Sequence, residues 1–174
     1  MCTEDEDQTC EGTAALKLGE QMPHLLVENP KALSGWVGKE IGVTEWFRVS
    51  QERIEQFAEA TEDRQWIHVD RVKAGKESPY SATIAHGFLT LSLISHLVKE
   101  LIQVQKVRLG VNYGLNRVRF PSAVRADSRI RARVALHALK EPADCIEAIY
   151  AVTIECEQSE KPACVAEWIV RYYK

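Results

Sequence analysis

Apolar and polar positions change rhythm along this chain. The first rhythm is helical. In SQERIEQFAEAT, residues 50–61, Ile54, Phe57 and Ala58 share one face, while Glu52, Glu55 and Glu59 lie opposite. Ser50 is a good N-cap, and Val49 and Ile54 occupy the two positions of a hydrophobic staple. The spacing predicts a helix over 51–60 that ends just before Asp63. Residues 44–49, TEWFRV, read as a short strand ahead of it. Residues 30–34 read as a short helix stopped by Gly35, and Gly38 and Gly42 flank a bend. The next apolar segment, GFLTLSLISHLVKELIQV at 87–104, is apolar nearly all round up to Lys99 and predicts one long buried helix. Residues 69–85 lack a period and are broken by Gly75 and Ser78-Pro79. They read as a long loop, which in a compact domain is usually functional or mobile.

From residue 111 the period is two. The segment 111–120, VNYGLNRVRF, is broken by Gly114 and ended by Pro121. In RIRARVALHAL, Ile130, Ala132, Val134, Leu136 and Ala138 alternate with Arg129, Arg131, Arg133 and His137. Ile146, Ala148, Tyr150, Val152, Ile154 and Cys156 form one face of the next segment, and Cys164, Ala166, Trp168, Val170 and Tyr172 one face of the last. These are antiparallel strands with one drier face each. Residues 141–144 and 159–162 read as their turns. The order is strand, helix, loop, buried helix, four strands. That is α+β, an antiparallel sheet packed on one long central helix, in a single domain.

Composition narrows the function classes. Hydrophobic residues make up 45% of the 174, enough for a core, and the formal net charge is −3. Residues 1–12 hold five acids and no base, so the rest of the chain has a small positive excess. Residues 1–30 read as a disordered, acidic N-terminal tail and 31–174 as the folded domain. The start is not a signal peptide, and a mitochondrial presequence would be acid-poor. The final RYYK is not a peroxisomal signal. Residues 87–104 are too short and too polar at their end to span a membrane. No aromatic interleaving accompanies the arginines, which argues against nucleic acid. The five cysteines form no CxxC, so neither a zinc site nor a disulfide framework is expected. Cys145, Cys156 and Cys164 sit in strand-like segments, where buried free thiols are common. The expectation is a soluble, intracellular protein, cytoplasmic in the simplest case.

The candidate chemistry lies in TEDRQWIH, residues 61–68. Taken alone, Asp63 is a turn former after a helix, and His68 a packed histidine. Taken together, an acid and a histidine just past a helix are a candidate acid/base pair, with Trp66 and Ile67 anchoring the backbone that converges them. At a five-residue offset within one α-helix the two would diverge. Gly87, opening the apolar helix, offers a backbone N–H with the positive end of the helix dipole behind it.

These features, in this order, resemble the MaoC-like hot-dog dehydratases, which include the R-specific enoyl-CoA hydratases. The resemblance rests on Asp63 and His68, Ala85-His86-Gly87, and Arg117-Val118-Arg119-Phe120-Pro121, and covers residues 36–172. Of the usual Gly-Asp-x-Asn-Pro-x-His motif, Asp63 and His68 are retained. Glu62 replaces the glycine and Gln65-Trp66 replaces Asn-Pro, a variant similar to the nodulation-protein-N-like branch.

The resemblance implies a hot-dog fold and reversible hydration of trans-2-enoyl thioesters to (R)-3-hydroxyacyl thioesters. Asp63 is assigned as base, His68 as acid at the α-carbon, and the Gly87 N–H as oxyanion donor. It also implies a role for Ser95 in ordering the site, although Ser95 equally suits a helix serine bonded to its own backbone. His86 is given no catalytic part. Asn116, Arg117 and Arg119 are nominated to meet coenzyme A phosphates. Tyr80 and Phe88 are nominated for an acyl pocket, with core packing as the alternative. No cofactor or metal is implied, since coenzyme A belongs to the substrate; an acyl carrier protein is the other possible carrier. A homodimer is implied, because a lone hot dog leaves a sheet edge open. The competing readings are a hot-dog thioesterase, disfavoured because the helix has no acid before Glu100, and an acyl-thioester-binding module without turnover.

Overall fold

A computed structural model describes residues 24–173. The chain opens with β1, Leu25–Val27, and a 3-10 turn, Pro30–Trp36. Asn29 caps that turn by accepting from the Lys31 and Ala32 amides, and Pro30 stands where a missing N–H does no harm. Strands β2, Glu40–Val43, and β3, Phe47–Arg48, lead into α1, Gln51–Thr61. Ser50 caps α1 through the Arg53 amide, and the staple residues Val49 and Ile54 are both fully buried. Then come α2, Trp66–Val69, and α3, Arg71–Glu77. The apolar segment forms α4, Gly87–Ser92, and α5, Ile94–Val98, joined through Leu93 in right-handed helical geometry. Strand β4, Ile102–Val104, follows. The sheet is completed by β5, Leu109–Arg119, β6, Arg129–Lys140, β7, Cys145–Cys156, and β8, Ser159–Tyr173.

The large sheet runs β2-β6-β7-β8-β5, all antiparallel, with β3 also paired to β6. Its drier face carries Ile130, Val134, Leu136, Tyr150 and Ile154, all fully buried. Against it α4 and α5 pack Leu89, Leu93, Ile94, Leu97 and Val98. This is the α+β hot-dog arrangement expected. No helix among the described residues is long and apolar enough to cross a membrane. Cys145, Cys156 and Cys164 are buried free thiols, and burial pushes the Cys164 thiol up to about 11.

Several boundaries differ from those expected, each for a local reason. Residues 25–27, assigned to the tail, belong to the fold: β1 pairs in parallel with β4, and Val27 is buried. Residues 1–12, with the acidic run, lie outside the described residues. The central helix stops at Val98. After it, Ile102-Gln103-Val104 alternates apolar and polar, which suits a strand. Residues 69–85 are not one loop. Asp70 caps α3 by accepting from the Lys73 amide, and only Ala74 of that helix is buried, so no apolar period marks it. Residues 40–43 form a strand where a bend was expected, and the strand expected over 44–49 shrinks to Phe47–Arg48. A bulge between Leu136 and Ala138 turns Leu139, rather than Ala138, onto the core. The last hairpin turns at residues 157–158, and Ser159 already pairs with Cys156. Pro162 is tolerated in β8 because the pairing with β5 ends at Val165.

Candidate active site

Helix α1 ends on Glu62, whose φ of 59° and ψ of 12° lie in the left-handed region. That conformation favours glycine and disfavours a side chain by roughly 1–2 kcal/mol. The reversal for which a glycine would be expected before Asp63 is therefore still made, by a less comfortable residue. The chain then passes Asp63 in the linker and enters α2, so His68 sits in a short helix rather than in the irregular segment expected.

The next wall is the extended segment at residues 83–86. It is tied to residues 124–126 by Ala85 N–H to Val124 O at 2.7 Å and Ala126 N–H to Thr83 O at 2.9 Å. On its other side the Ile84 amide donates to Ile67 O at 3.1 Å. His68 Nδ1 lies 2.7 Å from Ile84 O. A carbonyl only accepts, so Nδ1 carries the proton and Nε2 of a neutral ring is bare. The buried side chain of Gln51 braces the same wall. Its amide donates to His68 O at 2.8 Å, and its carbonyl accepts from the Thr83 hydroxyl.

Asp63, His68 and His86 each bring one ligand-type atom within 4.8 Å of the other two. The His68 and His86 rings stack, centroids 3.7 Å apart and 25° from parallel. His86 Nε2 donates to Asp63 O at 2.9 Å and stands 4.0 Å from the Asp63 carboxylate. Both imidazoles are buried, whereas the Asp63 side chain is 57% exposed. Burial holds His68 below its ordinary pKa, the Ile84 bond opposing that and His86 adding to it, with Asp63 pulling it up again. The three groups do not suit one metal ion. Ring lone pairs lie in the ring planes, and two near-parallel rings 3.7 Å apart share no such position. The set is suited to moving a proton at its open, carboxylate side.

Gly87 opens α4, and its N–H is a first-turn amide without a partner inside the helix. A Cβ on Gly87 would stand 3.0–3.2 Å from three atoms of the Phe120 ring, so that ring lies directly against the backbone here. Ser95 is on α5. It accepts from Asn112 Nδ2 at 3.0 Å instead of bonding its own backbone, a habit seen in Ser92, which donates to Phe88 O at 2.7 Å. Ser95, Asn112 and Trp168 line two adjoining cavities of about 330 and 410 Å³ between α4–α5 and β5.

The remaining nominees stand elsewhere. Tyr80 and Phe88 are exposed rather than core residues, and Phe88 meets Phe120 edge-on at 6.2 Å. Asn116 and Arg117 both reach Glu167, at 3.2 and 3.9 Å, and Arg119 bonds Val118 O. All three lie on edge strand β5. None of these contacts involves Asp63 or His68. Gln51 and Asn112 were not singled out from sequence, and His86 was given no catalytic part. Only His86 carried a signal, standing next to Gly87.

Residues 33–155 match the MaoC like domain family. The chain belongs to the MaoC-like dehydratase family. It is 44% identical over 146 residues to 3-hydroxyacyl-thioester dehydratase Z of Mycobacterium tuberculosis, covering 83% of this chain and 96% of the relative. It is also 44% identical over 135 residues to nodulation protein N of Rhizobium leguminosarum bv. viciae, covering 76% and 84%. Among solved structures, an unliganded R-hydratase from Pseudomonas aeruginosa superposes with a TM-score of 0.61. It is 20% identical, covering 79% of this chain and 82% of that one, and so supports the fold.

Proposed function

We propose that this MaoC-like chain is a hydro-lyase that interconverts 3-hydroxyacyl thioesters and trans-2-enoyl thioesters, the hydroxyl being of R configuration. The observation that carries the reading is the locked His68: Nδ1–H on Ile84 O, Nε2 bare, and the Asp63 carboxylate beside it. The 44% identity to a 3-hydroxyacyl-thioester dehydratase supports the substrate class.

In the hydration direction Asp63 accepts one O–H of a water and orients it. His68 Nε2 takes the other proton as the water oxygen bonds to the β-carbon. The π electrons move onto the thioester oxygen, where the Gly87 N–H receives the enolate charge. The His68 imidazolium, steadied by Ile84 O and Asp63, then gives its proton to the α-carbon as the carbonyl re-forms. Dehydration is the reverse. This keeps His68 as the acid at the α-carbon but moves the base step to it from Asp63, since a neutral ring donating through Nδ1 has no second proton to give.

The acyl chain is assigned to the cavities at Ser95, Asn112 and Trp168. Asn116, Arg117 and Arg119 are assigned to the phosphates of coenzyme A; an acyl carrier protein is the alternative carrier. No acid lies on α4 or α5, which disfavours a thioesterase. The test is loss of crotonyl-CoA enoyl absorbance on adding the protein, with the product resolved on a chiral column. (R)-3-hydroxybutyryl-CoA is expected. Free coenzyme A would point to the thioesterase, and binding without turnover to a non-catalytic module.

A further inference from the structure

His86 is an expensive residue to bury. It is 3% exposed, with its ring packed between His68 at 3.7 Å and Phe57 at 5.1 Å. Its Nδ1 is buried with no hydrogen-bond partner among the described residues. An unsatisfied buried polar atom destabilises a fold, and an apolar ring of similar shape would remove that cost. The other nitrogen shows what is gained. Nε2 lies 2.9 Å from Asp63 O, and a carbonyl can only accept, so Nε2 carries the ring's proton. The neutral Nε2–H tautomer is the one that fits.

We infer that His86 is a positioning residue of this site, tying the Asp63 main chain to the start of α4 and holding the His68 ring in plane. The inference rests on the reading of Asp63 and His68 given above. One residue thereby links three parts of the reaction. Its side chain locates the residue that holds the water, its ring face backs the residue that moves the proton, and its backbone caps the helix that begins with Gly87. The Asp63 side chain is exposed and Glu62 before it is in a disfavoured conformation, so the Asp63 backbone needs such an anchor.

Two variants separate the tether from the ring. His86→Gln keeps an N–H donor near the Nε2 position; His86→Phe keeps the stacked ring and loses the donor. With enoyl-CoA substrate, His86→Phe is expected to lower kcat by about 10- to 100-fold with KM within about threefold, the size of effect seen when an orienting partner is removed. His86→Gln is expected to recover most of that loss. Wild-type kcat in His86→Phe, or an equal loss in both variants, would overturn the inference. The full chain labelled at its histidine nitrogens supplies a test that needs no variant to fold and no turnover. Near neutral pH, NMR should show His86 as the Nε2–H tautomer. An Nδ1–H tautomer, with Nε2 bare, would overturn the tether. A wild type inert toward enoyl thioesters would instead remove the proposed function, leaving the NMR result to decide the tether.

Discussion

The imidazoles of His68 and His86 lie face to face, centroids 3.7 Å apart and 25° from parallel. Burial disfavours the charged form of His68, and the facing His86 ring adds to that. His68 is held below its ordinary value of 6.5, chiefly by burial. The proposed base must be neutral, so kcat/KM for hydration should be lost only as pH falls through a value below 6.5. The sign for stability is the same. Between the two values the unfolded chain binds the proton first, so the contribution of His68 is complete above 6.5 and is lost as pH falls through its folded pKa. A pH–rate profile in parallel with urea midpoints checks both. An acid limb at or above 6.5 would contradict the assignment.

Gly87 has no room for a side chain while Phe120 stays where it is. Gly87→Ala sets a methyl 3.0 Å from the Phe120 ring, so either the ring or the first turn of α4 must move. If the amide of residue 87 carries the enolate charge, kcat should fall by about 10- to 100-fold, the penalty for misplacing a group by about 1 Å. Phe120→Ala in the same chain should restore much of it, because Phe120 is 40% exposed and its removal frees the space. Steady-state kinetics of the two single variants and the double variant test this.

Trp168 lines both cavities beside Ser95 and Asn112, and its ring also meets Tyr150 at 5.7 Å. If the acyl chain lies there, Trp168→Ala should favour longer chains. The kcat/KM ratio of an eight-carbon to a four-carbon enoyl-CoA should rise by about tenfold or more, as expected when a few methylenes gain a pocket. An unchanged ratio would place the acyl chain elsewhere.

Strand β5 is an end strand of the sheet and exposes Leu109, Val111, Tyr113 and Leu115. An apolar open edge of this length invites a second strand. We expect a homodimer, so light scattering should return twice the chain mass of 19.7 kDa. A monomer over the working concentration range would contradict this.

The sheet and the proximity of Asp63 to His68 were legible for physical reasons. Strands β6, β7 and β8 each carry a continuous apolar face, so Ile130, Val134, Tyr150 and Ile154 declare themselves by alternation, although the first half of β7 is buried on both faces. Helix α3 does not, because a helix that buries only Ala74 leaves no stripe. The end of the central helix was obscured because Leu101, Ile102 and Val104 remain apolar while the period changes. Asp63 and His68 stood out as a spaced pair of reactive types. Gln51 did not, since a glutamine opening an amphipathic helix looks solvated until Thr83 and the His68 carbonyl are brought to it from 32 and 17 residues away. His86 gave only half a signal. Its place before Gly87 is visible, but the 2.9 Å bond to Asp63 O joins segments 23 residues apart.

The central claim is that Asp63 and His68 act together on one water. Its most direct measurement is the hydration rate of crotonyl-CoA by the wild type, Asp63→Asn, His68→Ala and the double variant. Each single variant should lose about 100-fold or more in kcat, and the double variant should be little worse than the poorer single one, as for residues that act as a unit. Losses that multiply in the double variant, or an Asp63→Asn protein with wild-type turnover, would contradict the shared-water account.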